Sequence, residues 1–195
     1  MKDDIRQRFD EAAMTIRMTE EHLTSRIAQA AEMIIDAYRA GHGVFTFGNG
    51  GSALDAQHIA LELVGRFLQD RRALRAQALT AAGGLLTCLG NDFGPEAVFS
   101  RQLEANADAG DIAIGLSTSG NSPNVVAGLE TARRLGMRTL ALTGSGGGKC
   151  APLADILLDV PASKTPRIQE AHVVIYHLLC EFIEAHLAAP PAEGG

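Results

Sequence analysis

The sequence predicts an α/β fold: a five-stranded parallel sheet covered by helices on both faces, with an N-terminal helical extension. Two observations predict this class. After the first forty residues, short apolar segments alternate with segments of helical periodicity, which is typical of a parallel sheet. Two of the turns that follow apolar segments are rich in glycine or serine, and ligands of open α/β sheets bind beyond the carboxyl ends of the strands.

The first forty residues predict the helical extension. Apolar residues recur there at steps of three, four or seven, with charged residues between them. The pattern fits one long helix or two helices that meet near Met18–Thr19, ended by Gly41 and Gly43. Its apolar surface exceeds the need of one small sheet, so the extension packs on its own sheet or forms a subunit interface.

The rest of the chain predicts the sheet and its covering helices. Strands are expected at 44–47, 75–79, 111–116, 138–142 and 156–160, and helices at 53–68, 95–107, 123–136 and 165–187. No linker, repeat or low-complexity segment interrupts this order. We therefore expect one domain over residues 1–195, with the extension at 1–40 and a flexible tail at 188–195.

The composition excludes several classes of protein. The 195 residues are 46% hydrophobic and 21% charged, which suits an ordinary globular core. The formal net charge of −6 argues against nucleic-acid binding but leaves room for a local phosphate pocket. The sequence has neither an apolar run of the roughly 18 residues that a membrane span needs nor a signal peptide. Three widely spaced cysteines favour a reducing cytoplasm over a disulfide framework.

Two turns have the chemistry of an anion site. GNGGS (48–52) follows the first strand, and STSGNS (117–122) follows the third; each opens a helix. Glycines let the backbone approach a ligand closely, and hydroxyls with free amides at a helix start hold phosphate well. The alternative is that these residues merely cap their helices.

Two familiar nucleotide motifs fail. GNGGSA (48–53) fits the dinucleotide pattern, but the second strand ends in ALT (78–80) without the acidic residue that binds ribose. This absence counts against a nucleotide-dependent oxidoreductase. In GSGGGKC (144–150), Thr143 replaces the first glycine of a P-loop and Cys150 replaces the magnesium-binding Ser or Thr.

Two predicted helices carry residues that suit zinc. His58 and Glu62 are four residues apart, so they share a helix face. The last helix carries Gln169 and His177, eight residues or about 12 Å apart on an ideal helix. These two reach one ion only by leaning together; otherwise they come from different subunits or serve different roles. His172, between them, either supports a ligand or packs in the core.

Five segments together carry a resemblance that covers nearly the whole chain. They are GNGGSALDAQHIALELVGRF (48–67), GNDFG (90–94), STSGNS (117–122), LTGSGGGK (142–149) and TPRIQEAHVVIYH (165–177). With them the sequence resembles the sugar isomerase (SIS) domain family, and within it the bacterial phosphoheptose isomerases. Each motif alone is modest, and the set is highly specific.

The resemblance implies a fold, an assembly and a reaction. The fold is a flavodoxin-like parallel sheet of five strands, and the assembly is a homotetramer with active sites between subunits. The reaction is the aldose–ketose isomerisation of sedoheptulose 7-phosphate to D-glycero-D-manno-heptose 7-phosphate. It is the first step toward the activated heptose of bacterial surface glycans such as lipopolysaccharide, and it takes place in the cytoplasm.

The resemblance also implies site residues, carried over by motif. One zinc ion per subunit would be held by His58, Glu62, Gln169 and His177. Glu62 is the expected base and His177 the expected acid. The substrate-binding positions are Asn49, Gly50, Gly51, Glu62, Asn91, Asp92, Ser117, Thr118, Ser119, Ser122 and Gln169, with the serine turn holding the phosphate.

A second function stays open within the same family. A relative that associates with a replication initiator resembles an isomerase without its active site, because it lacks the carboxylate and the histidine that correspond to Glu62 and His177. This chain has both residues, which favours an enzyme over a non-catalytic module that binds a sugar phosphate or a protein. One departure concerns substrate preference: many isomerases have an acidic residue where this chain reads TAAGG (80–84).

Overall fold

The computed structural model describes residues 1–188. The helical extension is one unbroken helix, α1 (Lys2–Arg39), without a break at Met18–Thr19. At 38 residues it is about 57 Å long. Its second half packs into the core, whereas Ile5, Phe9 and other apolar side chains of its first half are exposed. The helix therefore packs on its own sheet with one half only.

The predicted sheet is confirmed. Its strands are β1 (Val44–Gly48), β2 (Ala76–Ala78), β3 (Ile112–Ser117), β4 (Arg138–Thr143) and β5 (Ile156–Asp159). They are all parallel, in the order β2-β1-β3-β4-β5. The three central strands are buried along nearly their whole length, because helices cover both faces.

The helices lie in two layers. They are α2 (Gly51–Val64), α3 (Gly83–Phe93), α4 (Ala97–Asn106), α5 (Pro123–Arg134) and α6 (Thr165–Leu187), with a 3₁₀ turn at Gly148–Leu153. On one face α1, α2 and α6 share a core with the sheet, and on the other face α3, α4 and α5 share a second core. None of the helices in residues 1–188 is long and apolar enough to cross a membrane.

The structure corrects the expected helices at two places. The sequence pattern missed α3, because this helix begins with two glycines and buries only Leu89. The helix expected at 53–68 ends at Val64, since Gly65 follows and the next backbone amides bond elsewhere. The expected tail at 188–195 lies outside the described residues apart from Ala188. The division of the chain into domains stays a prediction.

A buried ion pair ends α2 and fixes the segment after it. The Glu184 carboxylate on α6 accepts hydrogen bonds from the amides of Phe67 and Leu68 at 2.6 and 2.7 Å, and a third from Gln69. Arg71 donates to the last carbonyls of α2 and lies 3.4 Å from the Glu184 carboxylate. Burial opposes ionisation, yet these amides and Arg71 hold the pKa of Glu184 below its usual value. The charge of Glu184 thus joins α2 to α6.

We expect Glu184→Gln to destabilise the fold by about 3 kcal/mol, because it removes a buried charge that binds three amides and leaves Arg71 unpaired. Urea unfolding measures the loss. The matched control is Glu181→Gln, an exposed position on the same helix, which should change stability by less than about 0.5 kcal/mol. Equal stabilities of the two variants would contradict this account of Glu184.

Candidate active site

The two predicted anion-binding turns lie side by side. β1 and β3 are neighbours in the sheet, with Gly48 paired to Leu116, so both turns emerge at the same edge. Asn49 and Asn124 exchange two amide hydrogen bonds of 2.8 Å between the turns. The strand order reverses between β1 and β3, which is where open α/β sheets bind ligands. No sequence pattern indicated Asn124, which lies just inside α5, beyond the serine turn.

The serine turn holds its hydroxyls against one another. The Ser117 hydroxyl lies 2.9 Å from that of Ser122 and 3.5 Å from that of Ser119. Ser122 precedes α5, and no side-chain hydrogen bond caps that helix. The alternative that this turn serves only to cap its helix therefore has no support in the geometry. Hydroxyls beside the N-terminus of α5 are groups that can bind an anion.

The glycine-rich segment after β4 supports the serine turn. The Gly144 amide donates to the Thr118 carbonyl at 3.0 Å, and the Cys150 amide donates to the Gly120 carbonyl at 2.9 Å. Gly120 has a φ of +66°, and a Cβ there would collide with the Gly147 carbonyl. The glycine-rich segment after β4 thus fixes the conformation of the serine turn.

A crevice opens beside these turns. Its volume is about 340 Å³, and it is lined by Gly48, Asn49 and Gly50 of the glycine turn and by Asn124 of α5, together with Thr80, Leu86 and Gly90. Asn91 and Asp92, on the last turn of α3, are exposed and bond to each other at 2.8 Å. Among residues 1–188 their side chains form no hydrogen bond to either anion-binding turn. Their expected contact with substrate stays a prediction.

The helices α2 and α6 bring the expected acid–base residues together. His58 Nε2 lies 3.0 Å from Glu62 Oε1 on α2. The His177 ring on α6 stands edge-on to the His58 ring with 5.1 Å between centroids, and it also packs against Phe67 at 5.4 Å. His177 Nε2 is buried and has no hydrogen-bond partner. Three of the four residues expected to bind zinc are therefore neighbours.

The fourth residue, Gln169, lies at the other end of the helix pair. Its amide covers Gly51, and a Cβ at Gly51 would collide with it. Gln169 therefore lies beside the first turn of α2, near the anion-binding turns. It lies away from the cluster of His58, Glu62 and His177. The sequence spacing of eight residues predicted this separation along α6.

The His58, Glu62 and His177 set fits a zinc ion in part. Two ligands of one tetrahedral zinc ion are about 3.3 Å apart, close to the 3.0 Å between His58 Nε2 and Glu62 Oε1. The free Nε2 of His177 supplies a third donor. As they lie, however, no three His, Cys, Asp or Glu side chains of residues 1–188 form a group ready to hold a metal ion.

Burial shifts the pKa of two groups in or next to this cluster. It lowers the pKa of His177, and the neighbouring His58 lowers it further, while Glu62 acts in the opposite direction. His177 is thereby neutral more readily, which suits a metal ligand or a proton acceptor. Burial also raises the pKa of Asp55 on α2, partly offset by the neighbouring Tyr176 hydroxyl and His58 ring.

His172 belongs to the core and not to this cluster. Its ring is completely buried, and Nε2 donates to the Thr143 carbonyl of β4 at 3.1 Å. Burial lowers the pKa of His172 to about 4. Of the two readings that the sequence left open, packing is the one that this contact supports.

Comparisons with known proteins agree with this geometry. The family model described as "SIS domain" matches residues 7–144. The phosphoheptose isomerase of Geobacter sp. (strain M21) is 46% identical over 187 residues, which cover 96% of this chain and 97% of that protein. The solved phosphoheptose isomerase of Neisseria gonorrhoeae superposes with a TM-score of 0.89 at 39% identity, covering 94% and 98% of the two chains. That of Francisella tularensis has a TM-score of 0.91 at 35% identity, covering 94% and 97%.

The chain therefore belongs to the SIS domain family, whose fold it shares. Within that family its similarity to the phosphoheptose isomerases extends over almost the whole length of both chains. It is an enzyme, and its class is that of the sugar-phosphate isomerases.

We expect His172 to make stability fall as the pH drops from about 6.5 toward 4. Its pKa is lower in the folded protein than in the unfolded chain, so the unfolded chain takes up the proton first. The loss has a slope of up to about 1.4 kcal/mol per pH unit. Urea unfolding between pH 5 and 7 should show a flatter profile for His172→Gln than for wild type, whereas the exposed His22→Gln should keep the wild-type slope.

We expect Asn124→Ala to weaken binding of inorganic phosphate about 3- to 10-fold, because the variant loses both hydrogen bonds that join the two turns. Isothermal titration calorimetry measures the affinity. Asn106→Ala is the control, since the Asn106 amide bonds only to the Gln102 carbonyl on α4. Identical affinities in both variants would show that the asparagine pair does not shape the anion site.

Proposed function

We propose that this enzyme isomerises sedoheptulose 7-phosphate to D-glycero-D-manno-heptose 7-phosphate. The observation that carries the proposal is that the side chains of Glu62, His58 and His177 are neighbours. The same chain also has two adjacent anion-binding turns. Aldose–ketose exchange needs one base, one acid and a fixed phosphate anchor. The relatives named phosphoheptose isomerase support this substrate.

The distance between the two parts supports a site shared by two subunits. Glu62 is eleven residues after Gly51, about 16 Å further along α2. An extended seven-carbon sugar phosphate spans only about 10 Å, at roughly 1.2 Å per chain bond. One extended substrate is therefore shorter than the distance along α2 between the glycine turn and Glu62. We infer that the turns of one subunit and the acid–base cluster of another face a common substrate.

Exposed apolar surface supports an assembly of subunits. Apolar side chains on the first half of α1 and the outer face of α2 face solvent in the single chain; they include Ile5, Phe9, Met14, Met18, Leu54 and Leu61. A groove of about 880 Å³ also runs between α1 and α6, lined by none of the expected site residues. A homotetramer, as implied by the resemblance, would cover such surfaces.

In the proposed reaction the phosphate and the reacting carbons have separate partners. The serine hydroxyls and the first amides of α5 hold the phosphate, and this remote binding orients the sugar. Glu62 removes the proton from the carbon next to the carbonyl. His177 protonates the carbonyl oxygen to give the enediol. Glu62 then returns its proton to the former carbonyl carbon while the neighbouring hydroxyl gives its proton to His177, so both side chains end as they began.

Zinc is the proposed cofactor, and His58, Glu62 and His177 would hold it. Gln169, the fourth expected ligand, lies away from this cluster in the single chain and would join it from another subunit. When bound, zinc supplies a positive charge that polarises the sugar carbonyl. A carboxylate bound tightly to a metal ion is a poorer base, so Glu62 would bind through one oxygen and keep the other for the proton. We further propose that the enzyme acts in the cytoplasm, at the first step toward activated heptose for bacterial surface glycans.

The runner-up is a non-catalytic module that binds a sugar phosphate or a replication-initiator protein. The absence of a carboxylate from residues 80–84 bears on substrate preference, because sugar hydroxyls then lose one expected partner. Thr80, Leu86 and Gly90 line that part of the crevice instead. A module of this kind has no need of Glu62 and His177 as neighbours, which is why we favour the enzyme.

We expect Glu62→Gln to lower kcat at least about 100-fold with the fold intact, because glutamine keeps the shape of Glu62 but cannot take the proton. Incubation with sedoheptulose 7-phosphate and NMR analysis of the sugars measures turnover. The control is Glu130→Gln, at an exposed position on α5. Turnover like that of wild type in Glu62→Gln would remove Glu62 from the mechanism.

The same assay tests the function itself and the metal. Wild-type protein should form heptose 7-phosphate, lose activity after treatment with a chelator and regain it with zinc. Activity that survives complete metal removal would contradict the zinc proposal only. Binding of sedoheptulose 7-phosphate without any product, in metal-loaded protein, would contradict the isomerase and favour the non-catalytic module.

A further inference from the structure

Tyr176 is a buried residue of the acid–base cluster to which the sequence analysis assigned no role. It precedes His177 on α6, its side chain is only 1% exposed, and its hydroxyl reaches between two residues of α2. The hydroxyl oxygen lies 3.0 Å from His58 Nδ1 and 3.5 Å from Asp55 Oδ1. The first distance is that of a good hydrogen bond, and the second is long for one between two oxygens.

The position of one proton follows from these contacts. Glu62, as a carboxylate, only accepts hydrogen bonds, so the His58 Nε2 beside it carries the ring proton. In a neutral imidazole the other nitrogen, Nδ1, is then an acceptor. The Tyr176 hydroxyl is the group next to Nδ1, and it donates its one proton there.

We propose that Tyr176 is a positioning residue that fixes the ring orientation and the tautomer of His58, so that Nε2 faces Glu62. Two contacts hold the ring, one at each nitrogen, and both come from side chains that are themselves packed. The hydroxyl acts through His58 and does not need to touch the substrate. It thus differs from the expected catalytic residues.

Asp55 allows a second arrangement of the hydrogen bonds around the Tyr176 hydroxyl. Its Oδ1 is the other neighbour of the Tyr176 hydroxyl, and its Oδ2 is buried without a partner. If a cation occupies His58 Nε2, the ring proton lies on Nδ1, and the tyrosine oxygen accepts it. The tyrosine proton then turns to Asp55 Oδ1, and no proton is gained or lost by the three side chains. The same hydroxyl thus orients His58 with or without a metal ion.

The packing of the Tyr176 ring can be separated from the role of its hydroxyl. The ring stands edge-on to His177 at 5.0 Å and to His58 at 5.2 Å between centroids. Tyr176→Phe keeps both ring contacts and removes only the hydroxyl. Tyr38→Phe is a matched control, because Tyr38 is also a buried tyrosine, only 4% exposed. Its hydroxyl donates to the Arg75 carbonyl and not to a residue of the acid–base cluster.

The deciding measurement is the nitrogen NMR spectrum of histidine-labelled, metal-free protein, with the His58 signals assigned by their loss in His58→Gln. In wild type and Tyr38→Phe we expect one His58 tautomer, with the proton on Nε2. In Tyr176→Phe we expect signals averaged between both tautomers. A proton on Nδ1 in metal-free wild type, or an unchanged His58 pattern in Tyr176→Phe, would overturn the proposal whatever the protein catalyses.

Zinc binding and kinetics give two further readouts, and the kinetic one rests on the proposed function. Competition with a chelator should show zinc affinity about 10-fold lower in Tyr176→Phe than in Tyr38→Phe. With sedoheptulose 7-phosphate, kcat should fall while KM stays within about twofold, because the phosphate binds elsewhere. Zinc affinity equal to that of the control would exclude the proposed metal-bound state, in which His58 Nδ1 donates to the Tyr176 hydroxyl. If wild type lacks isomerase activity, the proposed function fails, and the spectrum still decides the role of Tyr176.

Discussion

The site depends on how α2 lies against α6. The two helices run in the same direction. Gly51 contacts Gln169 and His58 contacts Tyr176 along them, and Arg71, in the segment after α2, pairs with Glu184. Each contact needs a particular residue type, namely a missing Cβ, a paired hydroxyl and a buried charge. Because helices are stiff, these contacts determine the distance between the anion-binding turns and the acid–base cluster.

The polar groups between α2 and α6 differ in whether they have hydrogen-bond partners. The Glu184 carboxylate is fully engaged by backbone amides and Arg71, so it behaves as a structural anchor. His177 Nε2 and Asp55 Oδ2, by contrast, are buried without partners. Burying a polar atom without a hydrogen bond costs free energy. Free donors and acceptors of this kind cluster where a ligand, a metal ion or a moving proton can use them.

A single chain carries both halves of the proposed site at opposite ends of α2. In the proposed reaction this arrangement makes assembly part of the chemistry, because a substrate of about 10 Å is shorter than the roughly 16 Å between the two halves along α2. The exposed apolar residues of α1 and α2 are the surfaces with which neighbouring subunits would bring the two halves together. The same reasoning gives a function to the long extension, of which only the second half packs on its own sheet.

Local patterns in the sequence were enough for the sheet, the two turns and the His58–Glu62 pair. Buried parallel strands are continuous apolar segments, turns at strand ends have typical residues, and positions four apart on a helix are always neighbours. The resemblance supplied the pairing of Glu62 with His177, and the structure then placed their side chains in one cluster.

Only the tertiary structure decided the features that depend on contacts between distant segments. The end of α2 is set by Glu184, more than a hundred residues away, and α3 persists although its own sequence is a weak helix former. Asn124 and Tyr176 gain their roles from partners on other elements, Asn49 and His58. No periodicity encodes such pairings, because they depend on the packing of the whole chain and not on local spacing.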